Sequence, residues 1–157
     1  MIGSALLSTM HLLALAIGLP GVFLRGKALR ALPNDPSAVE RVLSADNLWG
    51  VAALLWLATG LTRAFGGFEK GTGYYLHSGT FLVKMGLFAS VLALEIWPMA
   101  TFIRWRIRKA KGLPLDTSRA LQLSRVNTLE LVLTLAMPFF ASMMARGIGF
   151  GWFSGGP

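Results

Sequence analysis

The sequence predicts an all-α protein: an integral membrane four-helix bundle with both termini on the non-cytoplasmic side. Three observations lead there. Four apolar runs approach the roughly 20 residues that a membrane crossing needs. Hydrophobic residues make up 54% of the 157-residue chain and charged residues 14%, whereas soluble domains carry about 45–50% and about 25%. The basic residues are concentrated in two of the stretches between the runs.

The first run extends from Ile2 to Leu24, broken only by His11 and Pro20. Its first positive charges follow the apolar stretch, the reverse of a secretory leader, so it is expected to be a retained helix. The second covers about residues 44–63, with Ser44–Asp46 as its interfacial start; upstream, Ser37 with Glu40 three residues on has the pattern of a capping box. The third covers about residues 74–98 and contains Lys84 and Glu95. The fourth covers about residues 126–145, with Glu130 near its beginning. Pro33-Asn34-Asp35-Pro36, Gly66-Gly67 and Gly71-Thr72-Gly73 punctuate the connections. The tail from Gly147 is glycine-rich and carries Trp152 and Phe153, aromatic residues suited to a membrane interface. Together these elements predict one transmembrane domain over residues 1–157.

Charge placement gives the expected sidedness. Arg25, Lys27, Arg30 and Arg41 lie between the first two runs; Arg104, Arg106, Arg108, Lys109, Lys111, Arg119 and Arg125 lie between the last two. The other side holds only Arg63, Lys70 and Arg146, and Lys84 falls inside a run. Short loops rich in Lys and Arg stay in the cytoplasm. The net charge of +8 is therefore an orientation signal and an attraction to anionic headgroups, and nucleic acid is not an expected partner. With no cysteine, thiol catalysis, iron–sulfur ligation and zinc ribbons are excluded. No serine–histidine–carboxylate pattern points to a hydrolase, and Gly71-Thr72-Gly73 is too short for a phosphate loop.

Ionisable groups inside a bilayer cost about 2.5–3.5 kcal/mol on insertion scales, so they should face the bundle and find partners. Their spacing agrees. Ser4, Leu7, His11, Ala14, Gly18, Gly21 and Arg25 form one helical stripe, and Asp46, Gly50, Ala53, Leu57 and Gly60 form a second. His77, Phe81, Lys84, Phe88, Val91 and Glu95 form a third, and Asn127, Glu130, Thr134, Met137, Ala141 and Met144 a fourth. Counted from the centres of their runs, His11 and Lys84 share a depth roughly 3 Å outside the midplane. Such a pair suits a planar cofactor or a shared buried hydrogen bond. A second layer of Arg25, Asp46, Asn47, Glu95, Arg125, Asn127 and Glu130 is expected to form ion pairs that fasten the bundle. Arg63, Lys70, His77 and Arg146 on the outer rim could hold carboxylates of a bound ligand, although such cations commonly meet headgroups.

Several segments carry a resemblance: His11 with Gly18 and Arg25, Asp46-Asn47-Leu48-Trp49-Gly50 with Gly60 and Arg63, Gly71-Thr72-Gly73-Tyr74-Tyr75, and Phe81-Leu82-Val83-Lys84. They resemble small bacterial membrane proteins grouped only as a domain of unknown function. More distantly, the layout resembles HemJ-type protoporphyrinogen oxidases and the membrane domain of CopD-type copper proteins. In the HemJ type, a first-helix histidine and a third-helix lysine are needed for activity and b-type haem binding, which implies such roles for His11 and Lys84. Arg125, Asn127, Glu130 and Pro138-Phe139 are similar to its fourth helix, with the glutamate shifted. The Tyr-His pairs after its first and third helices are absent here. The resemblance therefore implies the fold and a haem-type pocket more than porphyrinogen oxidation.

The expected function is a bacterial inner-membrane protein binding haem b or a related tetrapyrrole, with His11 as metal ligand and Lys84 as second ligand or propionate partner. Arg63, Arg146 and His77 are further candidate binding residues, and Met10, Met85, Met137 and Met144 alternative axial ligands. Any catalysis would be of the oxidoreductase type, served by a membrane redox partner or a second copy of the chain. Two other expectations stand beside it: transport of copper or protons, or a non-catalytic assembly subunit of a membrane complex.

Overall fold

The computed structural model describes residues 2–67, 78–146 and 148. Lys70, Gly71 to Tyr75, His77, Trp152 and Phe153 lie outside the described residues. Those described form four helices, α1 (Ile2–Ala31), α2 (Ala38–Phe65), α3 (Gly79–Ala110) and α4 (Ala120–Ala145), with no strands among them. Each contains a window long and apolar enough to cross a membrane, and only 11–22% of each window is buried inside the protein. Most of the apolar surface thus faces outward, where a bilayer would cover it.

All four helices are longer at their basic ends than the apolar runs suggested. α1 has 30 residues, roughly 45 Å at 1.5 Å per residue, against a hydrocarbon thickness of about 30 Å. The surplus forms a small core of its own. Leu29, Leu32, Val42, Leu43, Phe102, Trp105 and Leu123 are all buried there, drawn from all four helices. This packing explains why α1 continues past Leu24: Ala28 and Leu29 extend its buried stripe while Lys27 and Arg30 stay exposed. It also explains why α3 does not stop at Pro98. Proline removes only one backbone bond, and burial of Phe102 and Trp105 beyond it favours continuing the helix. The segments 37–43 and 44–63 are likewise one helix, because Ala38, Val39, Val42 and Leu43 are buried.

The expected capping box at Ser37 is not formed. Ser37 has helical backbone angles and its side chain makes no cap bond. Asp35 performs that task instead: its Oδ1 accepts from the Ser37 N–H at 3.0 Å and the Ser37 hydroxyl at 2.5 Å, and Oδ2 accepts from Arg41 at 2.6 Å. The Ser37 hydroxyl and Arg41 together hold the Asp35 carboxyl below its ordinary range. At the other basic turn, Gly112 ends α3 with φ +66°, a left-handed conformation that disfavours a side chain.

α1 packs along α2 and also against α4, and α4 packs on α3. The first of these contacts is close because glycines face α2. A Cβ on Gly18 would sit 3.1 Å from the Ala52 Cβ, and one on Gly21 would lie 3.0 Å from the Trp49 backbone nitrogen. Small residues allow membrane helices this approach. α2 and α3 meet chiefly through long side chains, among them Trp49 with Glu95 and Trp56 with Phe88. The stripes expected on α1, α3 and α4 are the inward faces. On α2 the face is displaced: Ala45, Trp49, Ala52, Trp56 and Thr59 are buried while Gly50 is exposed.

Gly21→Ala is expected to destabilise the protein by about 1–3 kcal/mol, because its new methyl meets backbone that cannot move independently. Gly50→Ala, with nothing within 4 Å of its Cβ, should be neutral or slightly stabilising. Thermal unfolding of both variants in detergent checks the contrast.

Candidate functional site

Two polar layers occupy the interior. The layer nearer the basic turns is centred on Arg25, which is fully buried. Nε donates to Asn127 Oδ1 at 2.7 Å, and Nη1 donates to Asp46 Oδ1 at 2.8 Å and Glu95 Oε1 at 2.7 Å. Nη2 donates to Glu95 Oε2 at 2.8 Å and Glu130 Oε2 at 2.6 Å. A guanidinium has five N–H donors, and all five are used, on side chains from the three other helices. Its carbon lies 5.9 Å from the centre of the Trp49 ring and 5.5 Å from that of Phe102, within cation–π range.

The partners are themselves held. Trp49 Nε1 donates to Glu95 Oε2 at 3.0 Å, and Asn127 Nδ2 donates to the Val22 carbonyl at 2.8 Å. Arg106 Nη2 reaches Asp46 Oδ2 at 2.8 Å and Asn47 Oδ1 at 2.7 Å. The expected ionic layer therefore exists, with two changes of membership. Arg125 is exposed and outside it, and Arg106, expected in a loop, belongs to it because α3 runs on past Pro98. Gly26 makes room for this layer, since a Cβ there would lie 2.5 Å from Asn127 Nδ2.

The second layer, toward the chain termini, is a cleft along the seam of α2 and α3. His11 of α1 and Met137 of α4 reach into it, and Trp56, Gly60, Phe81, Lys84, Met85 and Phe88 supply much of its wall. The cleft is open along one side and offers about 70 Å³ of space, room for several waters. An adjoining recess is lined by His11, Lys84, Arg63 and Met144. The structure thus brings His11, Lys84 and Arg63 to one place. Arg146 caps the end of α4, is exposed and does not line either cavity. Met10 points outward, 48% exposed, so it leaves the set of alternative ligands.

Thr59 was not singled out in the sequence and governs the histidine. The Thr59 hydroxyl lies 2.7 Å from the Leu55 carbonyl and 3.2 Å from that of Trp56, so its one hydrogen is directed to the backbone. The same oxygen lies 2.8 Å from His11 Nδ1; with the hydroxyl hydrogen on the backbone it accepts from Nδ1–H, the tautomer that leaves the lone pair on Nε2. The ring lies against Trp56, with centroids 5.5 Å apart, and near Gly60, where a Cβ would come within 3.3 Å of His11 Cε1. The sequence signal for Thr59 is its place one helical turn from Trp56, on the buried face of α2.

Trp56 Nε1, Thr134 Oγ1 and Glu130 Oε1 are buried with no hydrogen-bond partner among the described residues. Buried polar atoms are nearly always paired, so these three mark space that polar atoms could share. Among the described residues no group of three His, Cys, Asp or Glu side chains could hold a metal ion.

Residues 3–149 match the family described as predicted membrane protein (DUF2214), and the chain belongs to that family, whose function is unknown. No curated protein matches the chain, and no solved structure does. The family assignment agrees with the coarser resemblance drawn from the sequence, while the likeness to HemJ-type and CopD-type proteins finds no match.

Arg25→Leu leaves Asp46, Glu95 and Glu130 facing one another without their common cation. It is expected to lower stability by about 3–5 kcal/mol, the usual cost of breaking a buried ion pair from one side. Arg25→Lys should restore only part, since an ammonium offers three donors in place of five. Unfolding of both variants in detergent reads the difference.

Proposed function

We propose that this protein lies in the bacterial inner membrane with its basic turns in the cytoplasm and holds a b-type haem, or a related tetrapyrrole, at the α2–α3 seam. The observation that carries the reading is the hydrogen bond from His11 Nδ1 to Thr59. Metal-bound histidines characteristically donate their other ring N–H to a fixed acceptor, and the Thr59 hydroxyl, held by the Leu55 carbonyl, is placed to accept from Nδ1–H in the tautomer this reading requires. The donor chemistry fits the group: one imidazole with Nε2 as its basic atom, aromatic walls, and thioethers at Met85, Met137 and Met144. Lys84 and Arg63 border the same space with charges suited to propionates. The open cleft of about 70 Å³ is smaller than a macrocycle, so in this reading α2 and α3 part on binding, and their backbones make little direct contact.

A bound haem would supply one-electron chemistry, placing the protein among oxidoreductases that work with a membrane redox partner. Within the site, His11 binds through Nε2 while Thr59 orients its ring. Trp56 and Phe88 keep the inner end apolar, and Lys84 and Arg63 select for carboxylates at the rim. The distant likeness of His11 and Lys84 to the functional pair of HemJ-type proteins supports the same reading.

The partnerless Glu130 Oε1 and Thr134 Oγ1 favour a second reading, proton conduction. They lie one turn apart on α4, on the face that leads from the Arg25 layer to Met137 of the cleft. Acidification of vesicles containing the protein would support it, and Glu130→Gln should then abolish the flux.

Protein expressed with ample haem and purified in detergent is expected to show a Soret band. His11→Ala should abolish or shift that band, and Thr59→Val should weaken haem affinity by about 10–100-fold, the usual effect of removing such a supporting hydrogen bond. Absence of the band in the wild type, or a band indifferent to His11→Ala, overturns the assignment.

A further inference from the structure

Away from both interior layers, a cleft of about 420 Å³ opens on the outer face between the end of α3 and the start of α4. Arg104 and Arg108, one turn apart on α3, line it with Arg119 from the cap of α4. Trp97 and Leu123 form its apolar side. We propose that this cleft binds the headgroup of an anionic phospholipid, best one carrying two phosphates, with acyl chains passing over Trp97.

The arginines are set for this ligand. Arg104 Nε donates to the Ala100 carbonyl at 3.1 Å, and Arg108 Nε to the Pro114 carbonyl at 2.8 Å. Both guanidinium planes are thereby oriented by backbone, while their terminal nitrogens make no hydrogen bond among the described residues. None of the three arginines has an ion-pair partner within 4.0 Å among the described residues, in contrast to Arg25, Arg41 and Arg106. A guanidinium held at Nε and open at its fork presents the geometry that phosphate accepts in bidentate fashion.

The one carboxylate at the cleft is Asp116. It accepts from the Ser118 hydroxyl at 2.6 Å and the Ser118 N–H at 3.1 Å. Those bonds, aided by Arg119 and Arg108, hold it below the ordinary carboxylate range. Three arginines and one aspartate leave a charge of about +2, complementary to two phosphates. The height is also right. Arg104 is the first charge on α3 after Glu95, and directly follows the exposed Met99 and Ile103 that carry the apolar surface past Pro98. The headgroup region begins at that border, and Trp97, two turns before Arg104, lies at the depth of the upper acyl chains. Basic pockets between membrane helices at a cytoplasmic face bind such headgroups. The larger groove between α1 and α2 is a poorer candidate, because its Arg41 is engaged by Asp35.

The full chain, purified in detergent, can be titrated with cardiolipin, phosphatidylglycerol, phosphatidylcholine or inorganic phosphate, with binding read by native mass spectrometry and thermal shift. Cardiolipin is expected to bind tightest and phosphatidylcholine weakest. Arg104→Gln/Arg108→Gln should bind cardiolipin roughly tenfold to thirtyfold more weakly, as removal of two interfacial cations implies. Arg104→Lys/Arg108→Lys keeps the charge and loses the fork; its affinity should fall between, which holds the test open if the glutamine pair folds poorly. Lys27→Gln removes a cation from the other groove and should leave binding unchanged. Equal weakening by Lys27→Gln would reduce the effect to general surface charge. Saturation by inorganic phosphate at the same concentration would reduce it to an anion site. Unchanged cardiolipin binding in both arginine pairs would remove the site altogether.

Discussion

Everything else in this structure is arranged around one buried guanidinium. Arg25 could not remain in a bilayer interior without partners, because its desolvation costs several kcal/mol after relaxation. The chain answers with one partner from α2, one from α3 and two from α4, so that all five donors end on oxygen. Such a set has only one good geometry. Sliding any helix by a turn, about 5.4 Å, would leave a carboxylate or the guanidinium unpaired in apolar surroundings. Register in a lipid-facing bundle is otherwise weakly specified, since apolar packing against a neighbouring helix differs little from packing against lipid. The Arg25 layer therefore determines which residues meet at every other depth.

That constraint propagates in both directions along the bundle. Toward the basic turns it is reinforced by the apolar core of Leu29, Val42, Phe102 and Leu123 and by Arg106, which ties α3 to α2 through Asp46 and Asn47. Toward the termini there is no equivalent fastening between α2 and α3 among the described residues. The seam is bridged by aromatic contacts such as Trp56 with Phe88. Register is thus set at the basic end of the bundle, and the α2–α3 seam beyond it is built on aromatic side chains. His11 is positioned by the α1–α2 contact: α1 lies close to α2 through Gly18 and Gly21, which sets the distance from His11 to Thr59.

Much of this was legible in the residues, and the failures have physical causes. The four crossings followed from apolar length, and three of the four inward faces followed from the spacing of polar and small residues. The α2 face differs from the stripe of Asp46, Gly50, Ala53, Leu57 and Gly60 because its packing surface is made by Trp49, Ala52 and Trp56. In the structure the close packing at Gly18 and Gly21 is against Trp49 and Ala52, so the glycines and the surface they meet are on different helices. Helix ends were underestimated wherever charges began. Lys27, Arg30, Arg104 and Arg108 occupy outward faces of helices whose inward faces stay apolar, and a reading that stops at the first charge cannot see the second face. The ion-pair layer was legible as a set of opposite charges at one depth; Arg106 was hidden by the assumption that Pro98 ended its helix.

The distribution of arginine and lysine carries one more step of reasoning. Arginine sits where directional, multiple hydrogen bonds are needed: Arg25 with five acceptors, Arg106 bridging Asp46 and Asn47, Arg104 and Arg108 oriented by backbone carbonyls. The lysines of the described basic turns are different. Lys27 and Lys111 are exposed, and Lys109 pairs with the exposed Glu40. A compact, strongly hydrated ammonium suits such surfaces, where charge matters and geometry does not. Lys84 breaks this division, being half-buried at the cleft beside His11. Under the function proposed above, a flexible point charge at that position could follow the carboxylates of a bound ligand, which a planar, pre-oriented fork could not do without re-forming its bonds. Lysine at the cleft and arginine at position 25 thus divide the interior between a mobile point charge and a fixed, fully bonded fork.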